Sequence, residues 1–96
     1  MITINKVSEN SYYVVFQKYM NEIDQQAGHQ LKKEVGQIMN SGRTIQINFK
    51  NVGSVNNNGL KMLNQLIELG SKRHCTVNFI NMKSSISNQL EPNHEY

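Results

Sequence analysis

Tryptophan is absent from this chain, and cysteine, proline and alanine occur once each, at Cys75, Pro92 and Ala27. One thiol cannot close an internal disulfide, so the fold must rest on an apolar core, and the reducing cytoplasm is the expected compartment. No apolar run approaches the ~20 residues of a membrane span. The start, Met1-Ile2-Thr3-Ile4-Asn5-Lys6, lacks the charged head and apolar stretch of a secretory signal. Direct membrane insertion is therefore not expected. There is no Cys-x-x-Cys, and His29, His74 and His94 are too scattered to gather on one ion, so neither a metal nor another cofactor is expected. Charge is also thin: the net value is +3, with Lys32-Lys33 and Lys72-Arg73 as separate pairs. Nucleic-acid binding needs a concentrated basic footprint, which two isolated pairs do not make.

What the chain has in excess is asparagine, with fourteen among 96 residues. That length accommodates one core, and residues 1–96 read as one domain without linker, repeat or low-complexity tract. Ser11-Tyr12-Tyr13-Val14-Val15-Phe16 is β-branched and aromatic, hence a strand, and Ile2 to Val7 is a short candidate partner. Ala27, Leu31, Val35, Ile38 and Met39 then recur at helical spacing, with Asp24 as N-cap and Gly42 as the stop. Glu22 and Asp24 could suggest acid–base chemistry, but carboxylates at a helix start are favoured by its dipole.

Thr44 to Phe49 alternates strictly: Ile45, Ile47 and Phe49 point one way, and Gln46, Asn48 and Lys50 the other. Such a strand belongs to a sheet with one buried and one polar face, so helices should cover one side only. Leu60, Leu63, Leu66 and Ile67 mark the next helix, with Lys72 and Arg73 at its end, and Thr76 to Ile80 is a further strand. Ile86 and Leu90 suggest a short last helix, which Glu91-Pro92 halts. The order is β-β-α-β-α-β-α: an α/β fold whose four-stranded mixed sheet carries three helices on one face.

Asn58-Gly59 alone would signal a hairpin, but the helical period that follows makes Asn56-Asn57-Asn58-Gly59 a strand-to-helix junction. One of its asparagines should cap the helix. In open α/β sheets, ligands and partners gather beyond the carboxyl ends of parallel strands, where this loop would lie. Gly53 and Gly59 match no phosphate-cradle motif. Cys75 beside His74 invites comparison with a nucleophile–base pair; a small buried cysteine is the expected alternative, and no enzyme is expected.

A strand of alternating aliphatics, then an Asp-Ser-(Ser/Thr)-Gly-Leu junction into a Leu-rich helix, is the signature of STAS domains, the anti-sigma factor antagonists and their relatives in anion transporters. Ile45 to Val52 followed by Ser54-Val55-Asn56-Asn57-Asn58-Gly59-Leu60 resembles it, with Gly59 and Leu60 identical to the motif. The resemblance, over about residues 11 to 91, implies a protein-interaction module. Its contacts would fall on Ser54, Asn56, Asn57, Asn58, Gly59, Lys61 and Met62. It implies as partner an anti-sigma factor or serine kinase or, as the alternative, the ATPase of a lipid or anion ABC-type transport assembly. It also implies a last helix longer than Glu91-Pro92 permits. The family's acid falls on Asn56, its phosphoacceptor serine on Asn57 and the next hydroxyl on Asn58. No amide accepts phosphate, so the switch at this position is missing, and Ser54 is the nearest hydroxyl.

Overall fold

The computed structural model describes residues 1–90; Glu91, Pro92 and His94 lie outside the described residues. Strands β1 (Ile2–Ser8) and β2 (Ser11–Phe16) form an antiparallel pair, and β2 then runs parallel to a further strand, Thr44–Asn48. Two short strands not anticipated from the sequence come between and after these, β3 (Met20–Ile23) and β5 (Val52–Val55), so Thr44–Asn48 is β4. Helix α1 covers Gln25–Gly36, α2 Asn57–Lys72, β6 Thr76–Ile80 and α3 Ser84–Ser87. The main sheet has the order β1-β2-β4-β6 and is parallel except at β1, while β3 and β5 form a separate parallel pair. The expected four-stranded mixed sheet is present, with a small second sheet added.

Register carries the alternation of β4 across the sheet. Ile45 stands between Tyr12 and Val77, and Ile47 between Val14 and Phe79, so one face is continuous and apolar. That face meets Leu31 and Val35 of α1 and Leu63 and Leu66 of α2, all fully buried, and Ile86 of α3 joins the same core. Phe49 packs edge-on between Phe16 and Phe79, with ring centres 5.6 and 5.1 Å away. Such edge-to-face pairs add to the area term of burial.

Three expectations need correction. Helix α1 ends at Gly36 with Gln37 as its C-cap; Met39 is still buried, but from the following loop. Gly42, read as the stop, has φ +83 and belongs to the turn before β4, where glycine enters the left-handed region without strain. Asn48, assigned to the polar face, is only 3% exposed. Its amide donates to Tyr13 Oη, and its oxygen accepts from Lys50 N at 2.8 Å and Asn81 Nδ2 at 3.2 Å, so the buried group is satisfied.

Two glycines allow close approach at the helix starts, Gly28 between α1 and α2 and Gly59 between α2 and β3. A Cβ on Gly28 would come within 2.6 Å of Met62 Cβ, and one on Gly59 would run into the carbonyl oxygen of Ile23. Gly59→Ala is therefore expected to destabilise the fold by about 3 kcal/mol, because backbone rather than a movable side chain blocks the methyl. At Gly36 the added Cβ would only touch Leu69 Cδ2 at 3.8 Å. Gly36→Ala should accordingly be neutral or gain up to about 1 kcal/mol from helix propensity. Urea unfolding of the two variants measures both; equal midpoints would show that α2 does not depend on close approach to β3.

Candidate functional site

Strands β3 and β5 run parallel, with Glu22 opposite Ser54 and Ile23 opposite Val55. Each runs through one extended residue into a helix, β3 through Asp24 into α1 and β5 through Asn56 into α2. The two helix starts are thereby set side by side. Asp24 Oδ1 accepts from Ala27 N at 2.9 Å, and Asn56 Oδ1 accepts from Gly59 N at 2.9 Å, so each side chain satisfies a donor of its first turn.

Asn56 does more than cap. Its Nδ2 donates to Glu22 Oε1 at 3.2 Å, and its backbone N donates to Ile23 O at 3.1 Å. The side chain thus ties α2 to β3 through both ends of its amide. A carboxylate could still cap the helix, but it would face Glu22 with like charge and no proton to give.

Between the helix starts lies an open cleft of about 470 Å³ whose walls include Asp24, Gln25, His29, Asn56, Asn58 and Met62. The positive ends of two helix dipoles converge on it, offset on the α1 side by the Asp24 charge. Of the residues expected to contact a partner, Asn56, Asn58 and Met62 line this cleft. Asn57 and Asn58 are exposed in the first turn of α2, as is Lys61 further along, whereas Met62 is half-buried beside Gly28. Gly59 is buried against β3 and serves the frame of the surface. Ser54 is exposed on β5, upstream of the cap, and its Oγ donates to Asn21 O at 3.0 Å.

Asp24, Gln25, Gln26 and His29 were not anticipated as part of this surface. Asp24 was legible as a cap, but that the cap of α1 adjoins the cap of α2 follows from the β3–β5 pairing, which no local pattern announces. Tyr19, 64% exposed, stands over Gly53, close to where a Cβ on that glycine would lie.

Cys75 is buried while His74, which adopts φ 56 in the turn before β6, is exposed. Burial pushes the Cys75 thiol above its ordinary pKa, and the charges of Arg43 and Arg73 offset part of that rise. Such a thiol is a poor nucleophile at neutral pH. Among the described residues, no three His, Cys, Asp or Glu side chains are grouped to hold a metal ion, and no helix is long and apolar enough to cross a membrane.

No known protein-family profile matches this sequence, and no curated protein sequence matches it. Solved structures do. The anti-sigma factor antagonist SpoIIAA, in its unphosphorylated form, superposes with a TM-score of 0.67 over 92% of this chain and 79% of its own, at 13% identity. Murine solute carrier 26 family member A9, an anion transporter in the inward-facing state, matches with a TM-score of 0.66 over 84% of this chain, at 15% identity. A crystal structure of Mglu matches with a TM-score of 0.70 over 85% of this chain, at 9% identity. The chain spans 20% of the Mglu chain and 13% of the transporter chain, so those likenesses concern one part of larger proteins. The fold is STAS-like.

Removing the Asn56 amide in Asn56→Ala should cost about 1 kcal/mol, the usual worth of an N-cap. Asn56→Asp keeps the cap yet opposes Glu22, so adding Glu22→Gln to it should recover stability by more than Glu22→Gln does in the wild type. Thermal unfolding of the four proteins gives this coupling, and strict additivity would deny the Asn56–Glu22 link. For Cys75, iodoacetamide at neutral pH should label the folded protein at least roughly tenfold more slowly than the urea-unfolded chain. Rapid labelling of the folded protein would return the thiol to consideration as a nucleophile.

Proposed function

We propose that this chain is a non-catalytic protein-interaction module, related in use to an anti-sigma factor antagonist. It binds a partner through the paired starts of α1 and α2. The observation that carries the reading is the surface itself: two capped helix starts, fixed by a dedicated two-stranded sheet, open a polar cleft on one side of a STAS-like fold. Exposed Asn57 and Asn58 with half-buried Met62 supply a neutral polar rim around an apolar contact, the arrangement of a protein interface.

Regulation at this surface does not pass through a phosphate on the helix start. Phosphorylation would place about −1.5 to −2 charges there, but the position is Asn57, which has no hydroxyl. The chain instead binds constitutively, in a bacterial cytoplasm, with an anti-sigma factor or serine kinase-like protein as partner. The likeness to part of an anion transporter favours a second reading, a subunit docked on a lipid or anion transport ATPase.

Affinity capture from the native cell with wild-type protein and with Asn58→Arg, read by mass spectrometry, tests the surface. The partner should be recovered with the wild type and lost with the variant; recovery with both would place the interface elsewhere. Incubation with serine kinases of the same cell and ATP, followed by peptide mapping, should leave residues 54–59 unmodified. Stoichiometric phosphate on Ser54 would overturn the claim of constitutive binding.

A further inference from the structure

A second concave surface lies further along the same helices, towards their C-terminal ends. Its walls are Lys32, Lys33 and Gly36 of α1 with Leu69 of α2 and the following Arg73, and they enclose about 410 Å³; His29 links it to the first cleft. The absence of a side chain at Gly36 keeps the seam open above Leu69. The floor is therefore apolar and the rim cationic.

The cations have work within the fold, though not enough to absorb their charge. Arg73 Nη1 donates to Gly36 O at 2.7 Å, a contact that completes the end of α1 and uses one of five guanidinium donors. Lys32 Nζ donates to the neutral Gln65 Oε1 at 2.9 Å. Lys33 is exposed, and among the described residues none of the three is in an ion pair. Complementing helix C-terminal carbonyls accounts for one bond and leaves three positive charges around an apolar floor.

We propose that this seam is a docking groove for an acidic, amphipathic segment of a protein partner, distinct from the cleft at the helix starts. Carboxylates spaced along such a segment reach Lys32, Lys33 and Arg73 separately, while an apolar side chain fills the space over Gly36 and Leu69. A compact dianion such as phosphate would lie close to the negative ends of two helix dipoles and leave the floor uncovered. A lipid surface is flat on this scale and leaves a concave floor empty.

The probe is a short fluorescein-labelled helical peptide of Glu and Leu at three- and four-residue spacing, with a twin carrying Lys for Glu. Fluorescence anisotropy should show the acidic peptide binding with an affinity that falls as salt rises, and the twin not binding. The double variant Lys32→Glu, Lys33→Glu changes only side chains at the rim, and its fold is checked by thermal unfolding. It should weaken binding about tenfold, since two attractions become repulsions. Asn58→Glu, which would repel an acidic peptide seated in the first cleft, should leave binding in the groove unchanged. The proposal is overturned by equal binding of the twin, by absence of binding, by an unchanged affinity in the lysine variant, or by displacement of the peptide with inorganic phosphate or phosphatidylserine vesicles. Weakened binding in Asn58→Glu would instead place the peptide in the first cleft and also overturn the groove.

Discussion

The backbone of α2 lies against β3 because Gly59 carries no side chain, and the rest of the surface depends on that approach. With a methyl at this position the helix would have to move off the Ile23 carbonyl, and Asn56 would lose its reach to both Gly59 N and Glu22. Gly28 does the same between the helices, letting α1 close on Met62. Helix starts are ordinarily held by packing some turns away; here they are held at the first turn itself. A partner surface built on them is pre-organised, which lowers the ordering entropy that binding would otherwise cost.

Asparagine at position 56 then has a positive chemical reason. A cap needs an acceptor, and the link to Glu22 needs a donor; an amide offers both within one rigid plane, whereas a carboxylate or hydroxyl of similar size supplies a poorer combination. The neighbouring asparagines are exposed and carry no such internal bond among those described. One residue of the run is structural, and the two beside it stand exposed to solvent.

The sequence was most informative where periodicity and burial coincide. Ile45, Ile47 and Phe49 announced β4 and the sidedness of the sheet, and Leu60, Leu63 and Leu66 announced α2. Asn48 broke the pattern because its burial is decided by Tyr13 and Asn81, residues distant in the chain. Strands β3 and β5 were illegible: Met-Asn-Glu-Ile and Val-Gly-Ser-Val are too short to show a period, and their stability comes from pairing across the fold. Half of the candidate site was hidden for the same reason. Asn56 and Asn58 could be found from the turn they form, but Asp24 and His29 join them only through non-local parallel pairing.

That pairing also gives the surface a grain. The two strand–cap–helix units stand side by side pointing the same way, a tandem rather than a mirrored pair. Their caps nevertheless differ, an acidic Asp24 on one flank and an amide Asn56 on the other. The surface thus has a left and a right, and whatever docks there must carry a matching asymmetry of its own.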